Sequence, residues 1–339
     1  MLVGGSKDSR ILLISPSKNN CKVLMTLKGH ENTVWCLTTL TVFNTIMIAS
    51  GSEDKTIKIW NPNKKESDRY VMTLYGHTGG VLSLTTLPIH NNTMIASGSF
   101  DYTIKLWMPG NGSKNKNLLL TINNDVCVLC LKSMIFEDEI ILISGSYDHT
   151  IKFWKPFIKQ DIKTPKVLEK SLKDRIESKD LKPFLTLDNE DSVLCMTSFI
   201  LKERFIIALG SFDKTIKLWR PFSIECETKL DSSEKLEKHE KDMKSATKEN
   251  KLLMLLKGHN DFVCCLNTIF HNNVLYLVSG SNDKVIKIWN INNINSKNHL
   301  VVSLKSHTDQ IFCLVGFIGS DGEGMMASVS QDMALKLWK

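Results

Sequence analysis

The sequence has no apolar run long enough to cross a membrane and no segment typical of secretion. No run approaches the about 18 residues of a spanning helix. The first residues, MLVGGSKDSRILLIS, lack the basic region, the continuous apolar block and the small-residue cleavage site of a signal peptide. Nine cysteines in 339 residues are too few for a disulfide scaffold. These absences predict an intracellular protein, in the cytoplasm or the nucleus.

Motifs of several catalytic classes are also missing. The sequence has no glycine-rich phosphate loop, no GxSxG and no HExxH. Cys127 and Cys130 form a CxxC, but on a strand they would point to opposite faces, and no second pair lies at zinc-finger spacing. We therefore expect no metal ion and no cofactor.

What the chain does contain is one segment repeated along its whole length. Near-copies of GSFDKTIKLWR (210–220) stand at 51–61, 98–108, 145–155 and 280–290. The repeats align on seven aspartates, spaced 46, 47, 47, 65, 70 and 49 residues apart: Asp8, Asp54, Asp101, Asp148, Asp213, Asp283 and Asp332. A fixed period of this size dictates the architecture of a protein. Six residues after each aspartate comes Ile14 in the first copy and a tryptophan in the others: Trp60, Trp107, Trp154, Trp219, Trp289 and Trp338.

Each repeat predicts four short strands, which we call a, b, c and d. In the second repeat they are VWCLTTL (34–40), TIMIASGS (45–52), TIKIW (56–60) and RYVMTLYG (69–76). A histidine lies between strand d and the next strand a in four places: His30, His77, His259 and His307. Asn124 and Asn189 occupy the other two. A small residue recurs near the start of strand a, for which crowding at an inner strand accounts: Cys36, Ser83, Cys130, Cys195, Cys265 and Cys313.

In these features the sequence resembles the WD-repeat β-propeller family, most of all the repeats of F-box or TRAF-type ubiquitin ligase subunits and of G-protein β-like proteins. The resemblance covers nearly the whole chain, although no aspartate follows the tryptophan and no F-box, RING or coiled coil is present. It implies an all-β propeller, a single domain over 1–339.

The resemblance also implies a hydrogen-bonded chain inside each blade, joining the histidine, a strand-b hydroxyl, the aspartate and the tryptophan. For one blade these are His77, Asp101 and Trp107, with either Ser97 or Ser99 as the hydroxyl. Ser, His and Asp also make up a hydrolase triad, but four repeats of the set favour a structural role over a catalytic one. The residues assigned to this network are His30, Asp54, Trp60, His77, Asp101, Trp107, Asp148, Trp154, Asp213, Trp219, His259, Asp283, Trp289, His307, Asp332 and Trp338.

The strand count raises a question about closure. The sequence predicts 26 strands, with three in the first blade and three in the last, whereas seven complete blades need 28. A segment upstream of Met1 in a longer protein would supply the two missing strands, or a partner would lend them by β-augmentation. Alternatively the propeller closes with six blades and leaves residues 1–16 aside.

Two polar insertions lengthen neighbouring repeats. They cover 155–182 and 220–250, both between strands c and d. In the first, Thr164 and Pro165 followed by Leu168, Leu172 and Ile176 predict a short amphipathic helix. The second predicts a solvated helix or disorder. Of the net charge of +7, the first insertion carries +4 and the second −1, and the remaining +4 is too little to favour nucleic acid as a ligand.

The position before each aspartate varies and points outward from a tight b-to-c turn. Beside it lies the second residue of strand a. Both positions are rich in aromatic and large apolar residues, which predicts a binding rim unless several of them are tucked under neighbouring blades. The candidate partner-binding residues are Trp35, Glu53, Leu82, Phe100, Leu129, Tyr147, Leu194, Phe212, Phe262 and Phe312.

From these residues and the resemblance we expect a non-catalytic scaffold that binds a protein or peptide on this rim, with the role of a substrate-recognition or adaptor subunit in a larger complex. Glu53 would pair with a basic ligand residue. The alternative is a propeller enzyme or ligand-binding domain that uses the central channel. We expect no membrane partner.

Overall fold

The structure is a computed structural model in which the regular secondary structure of the described residues is β-strand apart from one 3-10 turn. It describes residues 1–15, 22–42, 44–89, 92–109, 117–136, 139–157, 181–202, 204–222, 251–272, 274–293, 296, 298–318 and 324–339. Contacts divide the chain into two compact units, Met1–Ser192 and Val193–Lys339. Within the described residues, the helical structure is a single 3-10 turn, Glu66–Asp68.

The first unit contains four antiparallel sheets. The first sheet comprises β1 (Leu2–Gly5), β2 (Ile11–Ser15) and β3 (Lys22–Leu27). The second comprises β4 (Val34–Val42), β5 (Thr45–Ser52), β6 (Ile57–Trp60) and β7 (Tyr70–Leu74). The third comprises β8 (Val81–Ile89), β9 (Asn92–Ser99), β10 (Thr103–Trp107) and β11 (Leu118–Asn123). The fourth comprises β12 (Val128–Phe136), β13 (Glu139–Ser146), β14 (Thr150–Trp154) and β15 (Leu185–Asp188).

The second unit contains three sheets of the same kind. The fifth sheet comprises β16 (Val193–Leu201), β17 (Arg204–Ser211), β18 (Ile216–Arg220) and β19 (Lys251–Leu256). The sixth comprises β20 (Val263–His271), β21 (Val274–Ser281), β22 (Ile286–Asn290) and β23 (Leu300–Leu304). The seventh comprises β24 (Ile311–Ile318), β25 (Gly324–Ser330) and β26 (Leu335–Trp338).

The predicted all-β fold with seven blades, of which the first and last have three strands, is confirmed. In each sheet the strands pair in chain order, so a blade is one antiparallel meander. The six-blade alternative is wrong, because β1 and β2 pair with each other and β2 pairs with β3 instead of lying outside the fold. The extent of a single domain over 1–339 stays a prediction. The insertions at 155–182 and 220–250 lie largely outside the described residues, and so do Thr164, Pro165, Leu168, Leu172 and Ile176.

The b-to-c turns owe their shape to the Ser-x-Asp segment. In the third sheet, Asp101 N donates to Ser99 Oγ at 3.1 Å and Thr103 N donates to Asp101 Oδ1 at 3.0 Å. These local bonds hold the following residue, Tyr102, at a φ of 68°, in the left-handed region. The same conformation recurs after the other six aspartates, at Ser9, Lys55, His149, Lys214, Lys284 and Met333.

Every strand a that the structure describes begins with a β-bulge. In β4 the register passes from Val34 opposite Ser52 to Cys36 opposite Gly51, so it skips Trp35. A bulge bends the strand and can re-aim the side chain at that position. The skipped residues are Trp35, Leu82, Leu129, Leu194, Cys264 and Phe312.

The glycines of four Gly-Ser pairs, Gly51, Gly98, Gly210 and Gly280, give neighbouring blades room to pack. A Cβ on Gly51 would lie 2.6 Å from both Cys36 Sγ and Val81 Cγ1, and Val81 belongs to the next blade. Cys36 Sγ also donates to Val81 O at 3.6 Å. The recurring cysteine and glycine are therefore explained by close packing where one inner strand contacts the next.

Candidate functional site

The blade network of the third sheet joins four buried side chains. His77 Nδ1 lies 2.7 Å from Asp101 Oδ2, and His77 Nε2 lies 2.7 Å from Ser97 Oγ. Trp107 Nε1 donates to the same Ser97 oxygen at 2.8 Å. The hydroxyl partner is therefore Ser97, whereas Ser99 shapes the turn. Because a carboxylate only accepts, the proton of a neutral His77 lies on Nδ1, and Nε2 accepts from the serine hydroxyl.

The pKa values of these groups suit a neutral histidine beside a carboxylate. Burial lowers the pKa of His77, although the hydrogen bond to Asp101 opposes this. Burial alone would raise the pKa of the Asp101 carboxyl, but hydrogen bonds from His77 and Thr103 outweigh it and hold the pKa below its ordinary value. At neutral pH the network is a set of satisfied polar groups that joins two strands, the b-to-c turn and the d-to-a segment that carries His77.

The same geometry recurs in three other blades. In the second, His30 lies 2.6 Å from Asp54 and 2.7 Å from Ser50, to which Trp60 donates. In the sixth and seventh blades the corresponding sets are His259, Ser279, Asp283 and Trp289, then His307, Ser328, Asp332 and Trp338. In every copy the serine oxygen accepts an indole N–H and lies in the interior. A hydrolase needs that oxygen exposed to substrate, so the geometry favours the structural role.

The fourth blade uses an asparagine where the others use histidine. Asn124 Nδ2 donates to Ser146 Oγ at 2.8 Å, while Trp154 Nε1 still donates to Ser144 at 2.9 Å. Lys152 is buried on strand c. Its Nζ donates to the backbone carbonyl oxygen of Asn124 at 2.7 Å and lies 3.7 Å from Asp148 Oδ2. A lysine cation thus compensates Asp148 in place of the histidine.

The fifth blade departs further. Leu209 lies where the other complete blades and the last have the serine, and Trp219 Nε1 is buried with no acceptor among the residues the structure describes. Asp213 instead binds Lys217 Nζ at 2.7 Å. The sequence does carry the signal, since LGS stands where four other blades have SGS, but only the geometry shows which serine the indole needs.

The candidate rim residues of the first unit lie beside one another along successive turns. Glu53 N donates to Thr33 O at 2.9 Å, and Phe100 N donates to Gly80 O at 3.0 Å. Each b-to-c turn therefore contacts the d-to-a segment that leads into a strand-a bulge. We call this series of turns and bulges the turn rim of the unit; it carries Trp35, Glu53, Leu82, Phe100, Leu129 and Tyr147.

The bulge and turn residues of this rim differ in exposure. Trp35, Phe100 and Tyr147 are 45%, 44% and 61% exposed. Leu82, Leu129 and Glu53 are half-buried. Trp35 Nε1 donates to Glu53 Oε2 at 2.6 Å, which links a bulge to a turn within one blade.

The second unit has a turn rim of its own, which carries Leu194, Phe212, Phe262 and Phe312. Phe212, 42% exposed, stacks on the half-buried Phe262, with ring centroids 4.7 Å apart and planes at 29°. Such offset stacking between adjacent blades is a favourable aromatic geometry. Leu194 and Phe312 are half-buried.

Sequence reasoning missed exposed residues in the same turns. Tyr102 and Met333, each in the left-handed position after the aspartate, are exposed, and Met333 is 99% accessible. Tyr75, in the d-to-a segment before His77, is also exposed. The sequence contained a signal for these residues, because the position after each aspartate also varies between repeats.

The cysteines and acidic groups of the described residues do not assemble a metal site. No group of three His, Cys, Asp or Glu side chains there could hold an ion. Cys127 lies just before β12 rather than on it, and its Sγ is 3.8 Å from Phe100 O, whereas Cys130 Sγ is 3.9 Å from Gly145 O. Burial raises the pKa of Cys130 to about 12, so this thiol stays protonated. Within the described ranges no helix could span a membrane.

Comparison with known proteins identifies the repeats. The family model of the WD domain, G-beta repeat, matches residues 21–61, 68–108, 116–155, 250–290 and 298–339, which is about three-fifths of the chain. The chain is also similar to nuclear distribution protein PAC1 of Ajellomyces capsulatus (strain H143), with 36% identity over 83 residues. That match covers 24% of this chain and 17% of the relative, so the chain spans less than a fifth of the relative's length in the match.

Proposed function

Because the chain belongs to the WD-domain, G-beta repeat family, we propose that it is a non-catalytic scaffold that binds a peptide or protein segment on its turn rims. Membership of the family supports protein interaction as the general role. The finer proposal, that the partner binds these rims and that the chain serves as an adaptor or substrate-recognition subunit, rests on the residues of the rims.

The observation that carries the proposal is the exposure of four aromatic side chains, three on b-to-c turns and one on a strand-a bulge. They are Trp35, Phe100, Tyr147 and Phe212. The turns themselves are held by serine and aspartate bonds, so a polar residue would serve the fold equally well at the position before the aspartate. Exposed aromatic residues on a rigid backbone lose little conformational entropy on binding and are enriched among residues that dominate interfaces.

The buried networks also support the proposal of a non-catalytic scaffold. The His, Ser and Asp sets are buried, repeated and satisfied by each other, so they stabilise blades instead of facing a ligand. The turn rims are where side chains vary between repeats while the backbone does not. A scaffold that presents different side chains on equivalent turns can recognise an extended partner segment.

Affinity capture with mass spectrometry tests the proposal. The intact chain is compared with a Trp35→Ala, Phe212→Ala double variant and with an Ile135→Ala, Ile200→Ala control, in which two exposed residues near a-to-b hairpins are truncated. Proteins bound by the intact chain and the control, but lost from the rim variant, are then purified and their affinity measured directly.

We expect the rim variant to weaken binding by at least about 2 kcal/mol while its thermal melting stays close to that of the intact chain. If purified partners bind the rim variant and the intact chain equally well, the proposal is wrong. A loss that occurs only together with a lower melting temperature reports misfolding, and single variants at Phe100 and Tyr147 then decide the question.

A further inference from the structure

Trp35 and Glu53 form a hydrogen-bonded pair in which the aromatic side chain is 45% exposed. The bulge in β4 places Trp35 on the turn rim, where it is nearly half exposed. Its Nε1 donates to Glu53 Oε2 at 2.6 Å. That bond holds the edge of the indole against the turn, so the exposed part of the ring can offer a π face to a ligand. The second carboxylate oxygen, Oε1, is left to accept another donor.

The Glu53 carboxylate is not neutralised inside the protein. Among the residues that the structure describes, Glu53 forms no ion pair, and its one side-chain hydrogen bond is the one from Trp35. Asp54, next to it, is engaged by His30 and Thr56, and Lys55 extends into solvent from the left-handed position. A half-buried anion beside an exposed aromatic ring is complementary to a cation.

Two glycines keep the space between this carboxylate and the next exposed ring clear. A Cβ on Gly80 would lie 2.8 Å from Glu53 Oε2, and a Cβ on Gly79 would lie 3.1 Å from Phe100 Cβ. Phe100 N also donates to Gly80 O at 3.0 Å. The backbone between the two turns therefore carries no side chain, and Trp35, Glu53 and Phe100 form one continuous strip across two blades.

From this strip we infer that the turn rim of the first unit binds an arginine side chain of the partner, with the guanidinium on Glu53 and over the Trp35 ring. A guanidinium is planar, stacks on aromatic faces and directs several N–H donors at a carboxylate, whereas an ammonium is a strongly hydrated point charge. Phe100 contacts the aliphatic part of the same segment. This inference rests on the proposed function, since it names the chemistry of the segment that the rim recognises.

Indole resonances of the intact chain give a direct test. The chain has seven tryptophans, so ¹⁵N-tryptophan labelling gives seven indole signals, and a Trp35→Phe variant assigns the one from Trp35. The probes are acetyl-arginine amide, acetyl-citrulline amide, which is a neutral mimic of similar shape, and acetyl-lysine amide. We expect the Trp35 signal to shift with the arginine probe at about tenfold lower concentration than with citrulline.

Two variants distinguish the effect of the Glu53 carboxylate on the arginine response from the effect of any negative charge on the rim. Glu53→Gln keeps an oxygen to accept the Trp35 indole and removes the charge, so we expect the arginine response to fall about tenfold with an unchanged free spectrum and melting temperature. Glu31→Gln removes an exposed charge from the same rim without touching Trp35, and its response should match that of the intact chain. An equal response to citrulline, an unchanged response in Glu53→Gln, or a stronger response to lysine than to arginine would overturn the inference.

The two proposals can fail separately. If rim variants lose purified partners while the arginine probe leaves Trp35 unaffected, the scaffold function stands and the arginine site is wrong. If the probe shifts Trp35 while rim variants keep every partner, the site binds arginine but the rim is not the surface that those partners use.

Discussion

Trp107 and Ser97 share a hydrogen bond of 2.8 Å in the interior of the third blade, where the indole N–H donates to the serine oxygen that His77 also contacts. The bond joins strand c to strand b, and through His77 and Asp101 it reaches the turns at the blade edge. The corresponding tryptophan of the fifth blade, Trp219, is half-buried, and its buried Nε1 has no such acceptor among the described residues. The two tryptophans therefore stabilise their blades by different amounts.

Trp107→Phe and Trp219→Phe compare a fully buried tryptophan that has this hydrogen bond with a half-buried one that lacks it. Both changes remove similar volume, but only the first leaves a buried serine without its donor and discards a hydrogen bond. We expect Trp107→Phe to cost about 1 kcal/mol more free energy of unfolding than Trp219→Phe. Urea unfolding of the two variants measures the difference, and equal losses would contradict the assigned role of Ser97.

Acid should destabilise the protein in two steps because of the blade networks. Burial lowers the pKa of His30 and of His77 below the ordinary value of about 6.5. A group whose pKa is lower in the folded state contributes stability above its unfolded pKa and loses it as the pH falls. We therefore expect unfolding midpoints in urea to decrease as the pH falls below about 6.5.

The carboxyl groups extend this loss to lower pH. For Asp283, burial raises the pKa, but hydrogen bonds from His259 and Asn260 outweigh it and lower the pKa to about 2. Its contribution is present above about pH 4 and is lost as the pH falls toward 2. His77→Asn is the control, since Asn124 occupies the same position in another blade; the variant should be less sensitive between pH 7.5 and 5.5. An unchanged pH dependence would show that His77 is not buried in its neutral form.

Gly51 should tolerate no side chain. An added Cβ would lie 2.6 Å from Cys36 Sγ and from Val81 Cγ1, so Gly51→Ala must push neighbouring blades apart. We expect a loss of about 1–3 kcal/mol in the free energy of unfolding. Gly4→Ala is the matched control, because nothing lies within 4 Å of a Cβ there. Similar losses at both glycines would mean that helix or strand propensity, and not packing, dominates.

Replacing Met333 by a residue that favours its backbone conformation should stabilise the protein. It is almost fully exposed and has a φ of 63°, a conformation that costs most residues about 1–2 kcal/mol. Asparagine adopts this region more readily, so Met333→Asn should stabilise the chain by up to about 1 kcal/mol, whereas the β-branched Met333→Val should destabilise it. Thermal melting of both variants measures the effect, and a Val variant as stable as the Asn variant would be inconsistent with the turn geometry.

Much of the fold was predictable because each repeat encodes its own turns. Ser99, Asp101 and Thr103 are close in sequence, and their hydrogen bonds shape the turn with little help from the rest of the chain. The rim was predicted less completely. Trp35 and Leu82 occupy equivalent bulges, yet Trp35 is exposed and Leu82 half-buried, a difference that their equal positions in the repeat do not predict.

The sequence by itself determined 26 strands, the turns between them and the residue types of the blade network, since all of these repeat within local segments. It left six and seven blades open, and the pairing of β1 with β2 and of β2 with β3 decided for seven. Only the tertiary structure decided that Ser97 and not Ser99 binds the tryptophan, that Trp219 has no acceptor among the described residues, and that Trp35 is held by Glu53 beside Phe100. These relationships join residues from different strands or different blades. Their geometry depends on register, bulges and packing, which spacing along one chain does not specify.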